Sequence, residues 1–143
     1  MRIARLAAFL LLLACGSAAA TGFDGGSLAR AAVQQVGVTV NYDPMYRKLA
    51  YPNGDVPRDR GVCTDVVVRA FRAIGVDLQQ KVHEDMSRNF AAYPGRWVDH
   101  IGVVSTGRGS GARPLVVHNI GRGAQEEDVL FAWTLTGQYR WFK

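Results

Sequence analysis

The strongest constraint in this chain is a change of backbone habit at Gly61–Cys63. Upstream, Pro52-Asn53-Gly54-Asp55-Val56-Pro57 is dense in turn-formers. Downstream, Val62, Val66, Ala70 and Ile74 recur at helical spacing, and Gly75 can stop a helix at its C-terminal end. The pattern predicts a helix that begins at Cys63 and places its thiol in the first turn. Unpaired backbone N–H groups and the positive end of the helix dipole favour a thiolate there. The thiolate is the nucleophile of cysteine hydrolases. A lone cysteine is more often a small buried core residue. The turn before this one and the histidines after it shift the reading toward chemistry.

The flanking segments supply what such a helix could pack on. Ser27 is a candidate cap for a helix to about Val36, with Leu28, Ala32 and Val36 on one face. Asn41-Tyr42-Asp43-Pro44 breaks it, and Met45–Ala50 is expected to add a short helical turn. A further helix is expected from Asp77, its cap, to Phe90, with Leu78, Val82, Met86 and Phe90 in line and Pro94-Gly95 closing the region. His83 falls off that stripe and reads as a surface histidine beside Glu84 and Asp85. Strand-like patterns follow at Trp97–Val104, Leu115–Ile120, Val129–Leu135 and Gln138–Phe142, with a glycine-rich loop over Thr106–Pro114. Trp97, Trp133 and Trp141 read as packing residues. Helices first and antiparallel strands second argue for one α+β domain over residues 21–143.

Residues 1–20 read differently. Arg2 and Arg5 precede the apolar run Leu6–Ala14, and Ala18-Ala19-Ala20 follows, as in a secretory signal peptide. The apolar part is short for a membrane span. Leu12-Leu13-Ala14-Cys15 offers an alternative, a lipid anchor at Cys15 in the bacterial envelope. Cleavage after Ala20 would leave 15 basic residues against 12 acidic ones, too mild an excess to argue for nucleic acid. It would also leave Cys63 as the lone thiol in an oxidising compartment, most simply a periplasm.

A thiol nucleophile needs a base, and the base needs a group to orient it. His100 opens one strand pattern and His118 closes the next, so neighbouring antiparallel strands can bring them together. His100 is the candidate base and His118 the orienter, with Asn119 as the fallback. Thr64 and Asp65 lie at the helix start, where the Cys63 N–H is the natural oxyanion donor. Asp65 reads mainly as a capping carboxylate. Tyr42, Asp43 and Tyr46 are candidates for a cleft wall. Cys63, His100 and His118 are also zinc-ligand types, but no close-spaced pair accompanies them, so neither a metal nor a cofactor is expected.

Several stretches together resemble a known family. These are Asn41–Tyr46, Tyr51–Pro57, Gly61–Val67, Asp77–Gln80, Val82–Met86 and Val117–Gly121. The chain looks like the bacterial family of domain of unknown function 1287, which is similar in turn to NlpC-type cell-wall hydrolases. The resemblance implies a papain-like fold and carries Cys63 over as nucleophile, His100 of His-Ile-Gly-Val-Val as base and His118 as the third polar residue. It implies an exported cysteine hydrolase acting on amide bonds, with peptidoglycan peptides as substrate. Relatives carry a longer stretch before the histidine strand. Here Tyr93–Asp99 passes almost directly to His100, so one strand and part of the cleft wall are expected to be missing. The alternative function is a non-catalytic envelope-binding or structural protein.

Overall fold

The structure is a computed structural model that describes residues 24–93 and 99–141. The signal peptide and lipid-anchor expectations at 1–20, and the packing role of Trp97, lie outside the described residues. The fold is α+β. Helix α1 spans Gly25–Val33, α2 Cys63–Ala73 and α3 Leu78–Asn89. Between α1 and α2, β1 (Asn41–Tyr42) pairs in parallel with β2 (Arg60–Gly61). After α3 come β3 (Val103–Arg108), β4 (Pro114–Asn119) and β5 (Ala124–Glu127), an antiparallel sheet with β4 in the middle.

Helices α1 and α2 pack on each other and lie on the sheet, α1 against β3 and α2 against β4. The core is built from Leu28, Ala31 and Ala32 of α1, Val66, Val67 and Ala70 of α2, and Val103, Val117 and Ala124 of the sheet. Alanines on both helices permit a close approach. Val66 and Val117 are fully buried; burial of such a side chain contributes about 1.5–3 kcal/mol relative to exposure. The turn-rich stretch before α2 is fastened from the helix itself. Arg69 makes a two-pronged ion pair with Asp55 and also donates to the carbonyls of Val56 and Pro57 and to Thr39 Oγ1.

Helix α2 starts at Cys63 as its pattern predicts, and Gly75 follows it with φ +83. Elsewhere the structure corrects the expectations. Asp24, not Ser27, caps α1: its Oδ1 accepts the Ser27 N–H at 2.6 Å. The helix ends at Val33, which leaves Val36 outside it and 39% exposed. Residues 45–50 form no helical turn. Asp77 does cap α3, but the apolar stripe of that helix is not buried. Leu78 packs against the core at the start of the helix, while Phe90 at its far end is 71% exposed.

The sheet is also displaced from its expected positions. β3 begins at Val103, so His100 lies just before the strand instead of opening it, and the strand runs on to Arg108 through a register shift. Residues 129–141 contain no strand. Both sides of β4 are taken by β3 and β5, and the tail passes over the sheet as an irregular segment. Its tryptophans are used singly: Trp141 meets Phe71 edge-on at 5.0 Å, as a packing residue should.

Candidate active site

The start of α2 is held from several sides. Asp65 Oδ2 accepts the Val62 N–H at 2.7 Å, which satisfies one of the donors that a helix start leaves unpaired. The Gly61 carbonyl accepts from Asn119 Nδ2 at 2.8 Å and from the Asp43 N–H at 3.1 Å. One bond ties the helix start to the end of β4, the other to the Tyr42–Tyr46 segment. Cys63 is partly exposed there, and Thr64 is exposed. Asn119 Oδ1 also accepts the Gly123 N–H, so this side chain braces the backbone and makes no hydrogen bond to a histidine. The fallback orienter is thus a scaffold residue.

Strand alternation sends His118 and Asn119 to opposite faces. Asn119 shares the helix-facing side with Val117 and with its cross-strand partner Ala124. His118 lies opposite Gln125, on the face that also carries Val116 and Glu127. It is nevertheless only 1% exposed, because other residues cover it. His100 Nε2 lies 2.8 Å from His118 Nδ1, with the rings edge-to-face, and His118 Nε2 lies 3.0 Å from Glu127 Oε2. Arg122 Nη2 closes the run on Glu127 Oε1 at 2.6 Å. Trp133 stands edge-on to both imidazoles, 6.1 Å from His100 and 6.2 Å from His118 by ring centroid.

These surroundings act on the charges. Burial, with the neighbouring His118 second, lowers the His100 pKa and favours the neutral imidazole, the form a base requires. Burial opposes the charged form of Glu127, but the hydrogen bonds and charges of Arg122 and His118 prevail and hold its carboxyl below the ordinary value. Asp43 is also held low, by the Met45 N–H first and by the bond from Arg47 next.

The structure therefore brings together two of the three expected catalytic side chains. His100 and His118 share a hydrogen bond. The Cys63 sulfur makes no hydrogen bond among the described residues. Tyr42 and Asp43 border the helix start through β1 and the Asp43–Gly61 bond, whereas Tyr46 is 99% exposed. His83 stays on the surface of α3 and meets the Tyr51 ring at 4.8 Å. A cavity of about 330 Å³ lined by Gln35, Arg58, Arg69 and Arg72 lies along the later turns of α2, and no candidate catalytic residue lines it. Among the described residues no group of three or more His, Cys, Asp or Glu side chains is arranged to hold a metal ion.

Two participants escaped the sequence reading. Trp133, read as a packing residue, is 54% exposed beside the histidines. Glu127 falls between the strand patterns and belongs to no motif. The usable signal was the tight turn Gly121-Arg122-Gly123, which folds the chain after His118 back along it and brings an acidic residue to the diagonal position.

A family model described as domain of unknown function (DUF1287) matches residues 29–99 and 95–141. The uncharacterized protein YijF of Escherichia coli (strain K12) is 42% identical over 166 residues, with 81% of each chain covered. That alignment is longer than the 143 residues of this chain, so the relative carries positions with no counterpart here. The family match falls into two segments that overlap at 95–99, directly before His100. No solved structure matches. Matched from residue 29 to residue 141, and with a relative at this identity, the chain belongs to the DUF1287 family.

Proposed function

We propose that this chain is an exported cysteine hydrolase of the amidase or peptidase type, with Cys63 as nucleophile, His100 as base and His118 as its orienter. One observation carries the reading. The last two residues of β4 serve both halves of such a site: His118 bonds the candidate base, and Asn119 fastens the backbone immediately before the thiol. The chain order of a nucleophile at a helix start followed by histidines in the strand region resembles that of papain-like, NlpC-type enzymes. Cell-wall peptides are the proposed substrate, met in the periplasm after export through residues 1–20 or from a lipid anchor at Cys15.

The chemistry follows from the groups present. The Cys63 thiol passes its proton to His100, and the sulfur attacks the carbonyl carbon of an amide. The oxyanion develops next to the N–H groups at the start of α2, where the helix dipole also favours negative charge. As the tetrahedral adduct collapses, His100 returns the proton to the leaving amine and a thioester remains. Water activated by His100 then hydrolyses it. Trp133 and the Tyr42–Asp43 segment stand at the two ends of this constellation as candidate walls for substrate. The sulfur and His100 share no hydrogen bond in the free protein, and catalytic hydrogen bonds commonly tighten only in the substrate complex.

A second reading has its own support. His118 lies on the face of the sheet turned away from α1 and α2, and the family match is divided directly before His100. Both fit a non-catalytic member that binds the envelope. Purified peptidoglycan separates the two. Digestion by the wild type should release fragments of new mass that Cys63→Ala does not release. Co-sedimentation with sacculi without any new fragment would sink the hydrolase and leave the binding protein.

A further inference from the structure

We propose that Glu127 is a positioning residue that sets the direction of the histidine relay, so that Nδ1 of His100 is the nitrogen left bare to accept a proton. The inference rests on the hydrolase reading for its purpose, but its geometry does not depend on Cys63. An ionised carboxylate only accepts hydrogen bonds. Glu127 is held as a carboxylate by Arg122 at 2.6 Å, so the 3.0 Å contact with His118 requires the proton to sit on His118 Nε2. Where both rings carry one proton, as at a pH well above the ordinary histidine value, His118 presents a lone pair at Nδ1. The only complement at 2.8 Å is a proton on His100 Nε2. Neutral His100 carries one ring proton, so its Nδ1 is bare. No hydrogen bond among the described residues occupies that Nδ1.

The alternative direction shows why this matters. With no acceptor at Glu127, His118 can carry its proton on Nδ1 and donate it to His100 Nε2. His100 must then hold its own proton on Nδ1, where it would oppose an incoming S–H. With Glu127 in place, transfer from the thiol to His100 Nδ1 forms one N–H bond and breaks one S–H bond. It yields a thiolate and an imidazolium whose Nε2–H still donates to His118. Nothing else in the relay has to rearrange. Elsewhere, removing the group that fixes a catalytic imidazole in the right tautomer costs on the order of 10⁴ in rate.

The test is imidazole ¹⁵N NMR at a pH well above the ordinary histidine value of about 6.5. It is read on the wild type, Glu127→Gln, Glu127→Leu and Arg122→Ala. In the wild type both His100 and His118 should be Nε2–H tautomers. Glu127→Leu should give a large population of Nδ1–H at one or both. Glu127→Gln, whose amide oxygen can still accept, should retain the wild-type pattern at least in part, and Arg122→Ala should retain it fully. Peptidoglycan hydrolysis by Glu127→Leu should fall about a hundredfold or more. An Nδ1–H His118 in the wild type overturns the proposal without any variant having to fold. So does a folded Glu127→Leu with unchanged tautomers. If the tautomers behave as stated while no variant, nor the wild type, releases fragments, the hydrolase reading fails and the role of Glu127 in ordering the relay stands.

Discussion

Gly61 is where the backbone is under the tightest control. Its φ is +148, and a Cβ added there would sit 2.7 Å from Asp65 Oδ2 and 2.9 Å from Asp65 Cβ. A side chain would therefore displace the carboxylate that caps α2, and would disturb the carbonyl that Asn119 and Asp43 both hold. Gly61→Ala is expected to cost about 2–4 kcal/mol, from an unfavourable φ together with a lost cap. Urea unfolding measures it, and a midpoint within error of the wild type would refute the account. The turn ending at Gly61 was legible because turn-formers crowd the preceding segment and helical spacing begins immediately after. The aromatic and acidic partners of the histidines were not. Trp133 acquires its role from a tail path with no local signature, and Glu127 from a strand diagonal whose one cue is the turn at Gly121-Arg122-Gly123.

Elements show the same division. Asp77 was readable as a cap because it stands just before an apolar-periodic run. Its full role was not, because its partners come from three segments. Its carboxylate accepts the N–H groups of Asn53, Gln79 and Gln80 and pairs with Arg72. It therefore fastens the 51–54 turn and α2 to the start of α3. Asp77→Ala should cost about 2–3 kcal/mol, more than a simple cap, because Arg72 and the Asn53 N–H lose their partner together with the helix start. Asp77→Asn should recover part of that loss, and equal unfolding midpoints for Asp77→Ala and the wild type would reject the hub. Strand β5 was misplaced for a related reason. Ala-Gln-Glu-Glu has no apolar alternation, since only Ala124 reaches the core, while Glu126 bonds Ser105 and Glu127 bonds His118. The alternating residues 129–135 looked more like a strand, yet the tail uses its aromatics one at a time.

At the scale of the whole molecule the fold class was legible, because helical and alternating periods occupy separate halves of the chain. The pairing of the halves was not, because it is settled by small residues on α1 and α2 and by β4 filling the middle of the sheet. That packing places His100 in a partly buried position, and a pH dependence follows. Its folded pKa lies below the ordinary 6.5, through burial first and His118 second. Between 6.5 and the lower folded value the unfolded chain binds more protons than the native one, so stability must rise with pH across that window. Acidification from neutral pH is therefore expected to lower the urea midpoint well before the carboxylates titrate. Asp77 and Glu127, whose folded values lie below their ordinary 3.8 and 4.5, add a second loss only as pH falls beneath those values. A proton added to His100 enters at its bare Nδ1 and leaves the His100–His118 bond intact. The early loss thus comes from placing a charge in a half-buried site beside a second imidazole, with Trp133 against both rings. His100→Asn removes that titration. Its midpoint should change less than that of the wild type as pH falls from about 6.5 toward 5, while both proteins decline together under more acidic conditions. A wild-type midpoint that rises on acidification through that window, or a His100→Asn profile parallel to it, would show that His100 is not the half-buried neutral imidazole that the proposed mechanism needs.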